Sequence, residues 1–584
     1  MFKRLLFYTC SLTLLFSGAG LAQAQESVQP ANVGVFKTQR PKTSVPTTLK
    51  AAPASPSNAA TKLNAQAQAP QAQPWQALYI PLDDRPCNWL FPGQIARIGG
   101  GNLVMPERSW LGKAYTPGQP QKIKAWLRHQ PIYSNAIISA DMLAYGGLIA
   151  SRTATLSTAA AVENLQILPE LAQKGQHLEV LAIIPRLSLR TSEGQAPYET
   201  SLRNWAARGE ANPPANVPEE YFREYLQVRN RNLEVLYNLL LFTAQGSIDH
   251  LVIGQDDAAS KGIHISELAQ LKAKIKELHI EDKVDIMCGA DELASNMTAG
   301  WLAREANYKP HIELDYSDPS YEDKVPPMEA FTLAQTARLH LDLSGATQTE
   351  GTGTVIFVET PSDKPFAAPT LEGDAQTKTQ AENLLERIDN KFANQRKRPY
   401  GLADLHLVNR AEPIFAQTII DNVPIWELAC YSAWNTPSNS LGTAIAQACA
   451  AQIALVKGKN WTLYRRLESE KTQQAFTVAR LIDDYAYQAV IRQNLSQEYK
   501  NINIKADPLL NQAGPAGLAA RNAAIPWAQQ LWDEKLLGQS YYSPTVGQKV
   551  VFRSMFLEIV LPWPRLFEIE ERLNITLATE DVVG

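Results

Sequence analysis

Cysteine and histidine are scarce in this 584-residue chain, at five and eight residues. Cys87, Cys288, Cys430 and Cys449 are the cysteines beyond the N-terminal leader. None is spaced CxxC and the histidines are not clustered, which argues against a structural zinc site. An oxidising compartment permits one disulfide, but a chain of this length does not need one. Basic blocks are lacking too. The net charge is −4, which argues against nucleic acid or an anionic membrane as a partner. No GxGxxG or P-loop pattern follows the first expected strand, removing the commonest nucleotide-binding form of the open sheet. No GxSxG elbow supports a Ser–His–Asp hydrolase.

Long apolar runs are absent except at the start. Lys3 and Arg4 precede Leu5–Leu21, a stretch interrupted by Thr9, Ser11, Thr13 and Ser17, and Ala22-Gln23-Ala24 supplies a small-x-small cleavage pattern. A membrane span needs about 20 predominantly apolar residues, so residues 1–24 read as a cleavable signal peptide rather than an anchor. The expected location is periplasmic or secreted, with no membrane insertion after cleavage. Residues 25–74 are rich in Ala, Pro, Gln, Ser and Thr; such a composition buries too little apolar surface to fold and reads as a disordered linker.

From Trp75 onward, short apolar runs alternate with helical patterns. The expected strands are Ala77–Leu82, Ala136–Ala140, Leu178–Ile184, His250–Ile253, Val284–Met287, Ile312–Leu314 and Val355–Val358. Weaker ones lie near Leu402–Val408 and Trp426–Cys430. The expected helices between them include Leu165–Lys174, Glu219–Thr243, Ile265–Leu278 and Leu293–Ala306. Continuous apolar strands alternating with helices define an α/β protein with a parallel sheet covered on both faces. The number of units favours a TIM-barrel-like core, with two doubly wound α/β domains as the alternative. The expected divisions are an α/β core over 75–330, its continuation or a second α/β domain over 331–436, and a mainly helical region over 437–584.

The chemistry is expected where the strands end, because the carboxyl ends of parallel strands share one face. Asp83, Asp84 and Arg85 follow the first strand, and Asp141, Tyr145 and Arg152 follow the second. Arg186 follows the third, Asp256 and Asp257 the fourth, and Asp291 and Glu292 the fifth. An Asp after a strand is often only a helix cap, and Asp291 is equally readable that way. Three acid pairs with arginines between them are harder to explain as caps. Adjacent carboxylates separate in proton affinity, one donating a proton while the other stays charged, which is what glycosidic cleavage requires. Asp257 is the expected general acid/base and Asp256 its partner, with Asp291 or Glu292 assisting. A later cluster, Trp434, Asn435, Thr436 and Asn439, reads as a helix cap or as a sugar platform.

These segments resemble the bacterial domain-of-unknown-function 4127 family. The shared motifs are PLDDRP (Pro81–Pro86), D-x-x-x-YGGL-x-x-SR (Asp141–Arg152), GQDDA (Gly254–Ala258), GADE (Gly289–Glu292) and WNT-x-x-N-x-x-G (Trp434–Gly442). Asn409-Arg410-Ala411-Glu412 departs from the NG-x-D-like turn expected there. The resemblance runs from about residue 77 to Glu570 and implies one family domain, without implying a reaction. More loosely, the acid pair after the fourth strand is similar to that of barrel hexosaminidases using substrate assistance.

Three functions fit. The leading one is an exported glycoside hydrolase-like enzyme acting on a glycan or other small molecule with no obligatory cofactor. The second is a hydrolase or lyase using magnesium, calcium or manganese held by Asp83, Asp141 and Asp256. The third is a non-catalytic glycan- or solute-binding protein. The oligomeric state is left open.

Overall fold

A computed structural model describes residues 74–210, 212–368, 371–393, 398–499 and 514–580. The signal peptide and, save for Pro74, the linker read from the sequence lie outside the described residues. All described residues fall in the unit that begins at Gln68.

The apolar runs become strands because both of their faces are covered. Fourteen strands are described: β1 Trp75–Ile80, β2 Gly101–Val104, β3 Ala136–Ser139, β4 Leu178–Ile184, β5 His250–Gln255, β6 Val284–Ile286, β7 His311–Tyr316, β8 Thr347–Gln348, β9 Thr354–Glu359, β10 Tyr400–Asp404, β11 Leu428–Ser432, β12 Ser540–Ser543, β13 Gln548–Val560 and β14 Glu570–Thr579. Every residue of β3, β4, β9, β10 and β11 is buried, as expected for parallel strands between two layers of helices.

The parallel strands form two open sheets and not one closed barrel. The first has the order β2-β1-β3-β4-β5-β6 and the second β8-β7-β9-β10-β11. Each starts from its first strand, adds the second on one side and the rest on the other, which is the doubly wound arrangement. The barrel expectation is therefore corrected to two open parallel sheets, and the loose analogy with barrel hexosaminidases loses its footing. The two edges of the first sheet are β2 and β6. β2 has three half-buried residues out of four, so its sequence carries little apolar signal. The second sheet begins before residue 330, since β7 already pairs with β9 in it.

Alternate residues of each strand feed different cores. In the first sheet, Leu78, Ile80, Val180, Ala182 and Ile253 pack beneath helices that include 219–244 and 263–278. Their neighbours Ala77, Tyr79, Leu181 and Val252 face helices 91–98, 293–305 and 437–457. That same core includes Ile312, Ile356 and Ala403 of the second sheet, so the two sheets share a helical layer. Helix Pro437–Lys457 lies in it. Pro437–Asn460 is the one described segment long and apolar enough to cross a membrane, and 83% of its most apolar window is buried within the fold.

The C-terminal part is helical through Leu463–Glu498 and Pro515–Leu536. It ends in an antiparallel sheet of order β12-β13-β14, which the expected mainly helical region did not include.

Candidate functional site

Pro86 starts a helical turn six residues after the end of β1, and the segment between them carries Asp83, Asp84 and Arg85. Arg85 donates from Nε to Asp83 Oδ2 (2.9 Å), and its backbone N–H reaches Asp83 Oδ1 (3.1 Å). Its two terminal nitrogens fork onto Asp291, 206 residues away, at 3.0 and 2.7 Å. Asn88 donates to Asp83 at 2.9 Å. All four side chains are buried, and a two-pronged charged contact of this kind is among the stronger polar interactions. Asp84 turns elsewhere: Trp563 donates its indole N–H to Oδ1 at 2.6 Å. Burial pushes its carboxyl up to about 6, against that indole bond.

The other strand ends repeat the pairing. Arg152, beyond β3, contacts Asp256 beyond β5. Arg186, beyond β4, meets Asp257 at 2.6 Å, and its carbonyl is held by Arg229 Nη1 at 2.9 Å. Asp257 has φ +43, a left-handed conformation that is costly for a residue with a side chain and is common at functional sites. Burial, then the neighbouring Asp256, raises its proton affinity, against the pull of Arg186 and Arg152. Arg85, Arg186, Asp256 and Asp257 all lie close enough to act on the charge of Arg152.

A small recess lies against these pairs. Gln255, Asp256, Asp257 and Asp291 line it together with Glu329, Asn435, Thr436 and Asn439. Its open volume is about 10 Å3, the scale of a single water molecule. Gln255 Oε1 is buried without a hydrogen-bond partner among the described residues. Glu329 accepts from the Ser438 N–H at 3.0 Å, and burial pushes its carboxyl up to about 7. The recess thus combines Asp256, held against a guanidinium, with Asp257 and Glu329, whose proton affinities are raised. Raising the proton affinity of a buried acid in this way is how protein sites obtain a proton donor near neutral pH.

Several expected site residues lie elsewhere. Asp141 accepts from the Ile183 N–H at 3.0 Å, is buried, and is pushed by burial up to about 7. With Tyr145 it lines a separate small cavity against β4 and helix 219–244, and the Arg231 guanidinium lies 4.6 Å from the Tyr145 ring centroid. Trp434 is 5% exposed and packs on Phe567 with ring centroids 5.7 Å apart, so it is a core residue and not a presented sugar platform. Asp291 does not cap the following helix; its oxygens serve Arg85. Asn435 Nδ2 lies 3.5 Å from Asp291. Thr436 and Asn439 form a capping box at the start of helix 437–457. Asn409 takes φ +67, a conformation Asn tolerates, and its N–H donates to the Asn435 carbonyl at 2.7 Å. The departure from the family turn therefore still yields a tight turn that supports the site.

Glu292 is wholly buried behind the recess and not in its lining. Ser438 Oγ donates to it at 3.0 Å, Asn439 Nδ2 also contacts it, and His340 Nε2 lies 3.3 Å away. Burial pushes Glu292 up to about 8 and His340 down to about 3, so at neutral pH both are uncharged. Gly289 at φ +86 is required here, because a Cβ would come within 1.9 Å of Glu292 Oε1. The folded chain holds the Glu292 proton to about pH 8 while the unfolded chain releases it near the usual 4.3. The associated stability is complete below the unfolded value and is lost as pH rises to about 8. Urea unfolding at pH 5, 6.5 and 8.5 should show wild type weakening across this range, and Glu292→Gln weakening less. Equal slopes for the two proteins would refute the neutral state.

The metal alternative finds no ligand set. Asp83 serves Arg85 and Asn88, Asp141 a backbone amide, and Asp256 an arginine. Among the described residues no three His, Cys, Asp or Glu side chains are grouped to hold an ion. The sequence reading also missed Glu329, Asn88 and Trp563. Glu329 follows Pro326-Pro327-Met328 with no strand before it, so no strand-end pattern marks it.

Fold and site together define a doubly wound, two-sheet α/β protein with paired arginines and carboxylates at the strand ends. The chain belongs to the family described as "Protein of unknown function (DUF4127)", whose model matches residues 77–571. All the motif segments from Pro81 to Gly442 lie inside that match. No curated protein matches the chain.

Proposed function

We propose that this protein is an exported hydrolase of glycoside-hydrolase type, periplasmic or secreted. In this reading Asp257 is the general acid/base and Asp256 its charged partner. The observation that carries the reading is the recess itself, where Asp256, Asp257 and Glu329 meet in different electrostatic settings.

Each part has a role. The recess takes one small group, and the attacking water is the natural occupant. The larger substrate lies outside, over the side chains of Arg186 and Asp257, which are 34% and 25% exposed. Asp257 protonates the leaving oxygen and then accepts the proton of water, while Asp256 and Asp291, fixed by Arg152 and Arg85, face the positive charge that develops on the sugar. In this reading Asn435 binds a substrate hydroxyl. The apolar N-terminal segment supports the exported location and favours extracellular glycans as substrates.

The test is release of 4-nitrophenol from a panel of 4-nitrophenyl glycosides by the purified protein. Asp257→Asn should lower kcat/KM by about 100-fold or more, the usual scale for losing a general acid/base. Full activity in that variant would remove Asp257 from the mechanism, and no turnover of any glycoside would count against the reaction class.

A further inference from the structure

A second basic group gathers beside Asn435, apart from the arginine–carboxylate pairs at the strand ends. Trp434 packs on Phe567, and the Phe567 ring carries two guanidiniums, Arg492 at 5.2 Å and Arg565 at 5.0 Å from its centroid. Arg410 joins them. It follows Asn409, whose N–H is bonded to the Asn435 carbonyl at 2.7 Å, and it lies close enough to Arg492 for the two charges to repel. Three arginines therefore meet next to the recess lining, in a chain whose net charge is −4.

The nearby acids do not balance this group. Glu568 is taken by Arg565, with contacts of 2.8 and 2.7 Å, and Asp483 by Arg480 at 3.2 Å. Glu412, the acid that acts on Arg410, is pushed by burial up to about 7 and accepts from the Ile414 N–H at 3.3 Å. Among the described residues neither Arg410 nor Arg492 makes an ion pair. Arg492 gives one bond, from Nη1 to the Phe567 carbonyl at 3.2 Å. The Arg410 guanidinium gives none. Its Nε is enclosed, but its two terminal nitrogens are not, and the side chain is half-buried. Arg565 is 25% exposed. Partly desolvated cations that repel each other and lack an internal anion are costly, and an anion from outside the chain removes that cost.

We infer that Arg410, Arg492 and Arg565 form an anion-binding subsite beside the recess, which takes the carboxylate or sulfate of an acidic saccharide. This rests on the glycoside-hydrolase reading and names its substrate class. All three cations are arginines, whose guanidiniums present paired donors to the oxygens of an oxyanion. The bond from Asn409 to Asn435 joins the turn carrying Arg410 to the lining of the recess. The acidic group therefore belongs to the same saccharide whose glycosidic bond lies at Asp257, on a ring next to the one being cleaved.

The experiment measures binding rather than turnover, by calorimetric titration of the full-length protein with trigalacturonate, a sulfated carrageenan tetrasaccharide and neutral maltotriose. At least one acidic sugar should bind about tenfold or more tightly than maltotriose, the scale of one hydrogen bond to a charged group. The tighter of the two tells carboxylate from sulfate. Arg410→Gln and Arg492→Gln should each weaken that binding about fivefold or more, and Arg410→Lys, which keeps the charge, should weaken it less than Arg410→Gln. Equal affinity for acidic and neutral sugars, no saturable binding of any, or wild-type affinity in both glutamine variants overturns the inference. Arginine-dependent binding of an acidic sugar by a protein that cleaves no 4-nitrophenyl glycoside upholds the subsite and counts against the reaction. Cleavage of glycosides with no preference for an acidic sugar does the reverse.

Discussion

Replacing Arg85 by methionine should lower the free energy of unfolding by about 3–5 kcal/mol, the scale for removing one partner of a buried ion pair. Arg85 answers two carboxylates, Asp83 and Asp291. Methionine fills much of the same volume, so the loss isolates charge and hydrogen bonding from packing. Arg85→Lys should recover only part of it, since an ammonium cannot reproduce the fork of a guanidinium on Asp291. The measurement is the urea midpoint, with the slope checked for constancy. A midpoint unchanged by Arg85→Met would mean that Asp83 and Asp291 find other partners and that the arginine does not hold β1 to the end of β6.

A loss of similar size is expected at Arg480, for a different reason. Its guanidinium is buried, with Asp484 at 2.7 Å, Asp483 at 3.2 Å and Glu571 at 3.7 Å. It also lies 4.2 Å from the Phe91 ring centroid. Asp484 accepts from the Ala433 N–H at 2.7 Å, so this cluster ties the end of β11 to helix 463–480 and to β14. Arg480→Met leaves three buried carboxyls without this cation and should cost about 3–5 kcal/mol at pH 7.5. Burial already pushes Asp484 up to about 7, and losing the arginine moves these groups further up. Their protonation at pH 5 removes the uncompensated charge, so the deficit against wild type should shrink at that pH. A deficit equal at both pH values would point to lost packing on Phe91 and Phe476 instead.

The strands were legible because burial on both faces writes them as continuous apolar runs; β4 was read at its observed limits, Leu178–Ile184. Their order was not legible. It depends on which strand pairs with which, and the weak edge strand β2, with a glycine and an asparagine among its four residues, left little trace. The pairing at the strand ends was half legible. Asp256, Asp257, Asp291 and the three arginines announce themselves by following apolar runs, but which arginine meets which acid depends on side-chain reach across the sheet. Glu292 has the same sequence context as Asp291 and yet lies behind the recess, since one step along the chain turns its side chain into the core. Glu329 and Trp563 reach their neighbours only through tertiary packing, which no local pattern encodes.

The bond from Trp563 to Asp84 spans 479 residues, and Arg108 is likewise held by Glu570, 462 residues on. A chain made from its N-terminus must therefore extend past Trp563 and Glu570 before the loop after β1 obtains these partners. A ribosome-bound or truncated product ending before Trp563 would carry Asp84 without its indole donor and Arg108 without Glu570. Termination before Trp563 should thus impair a region made 479 residues earlier, and limited proteolysis of such products should cut first around residues 83–118.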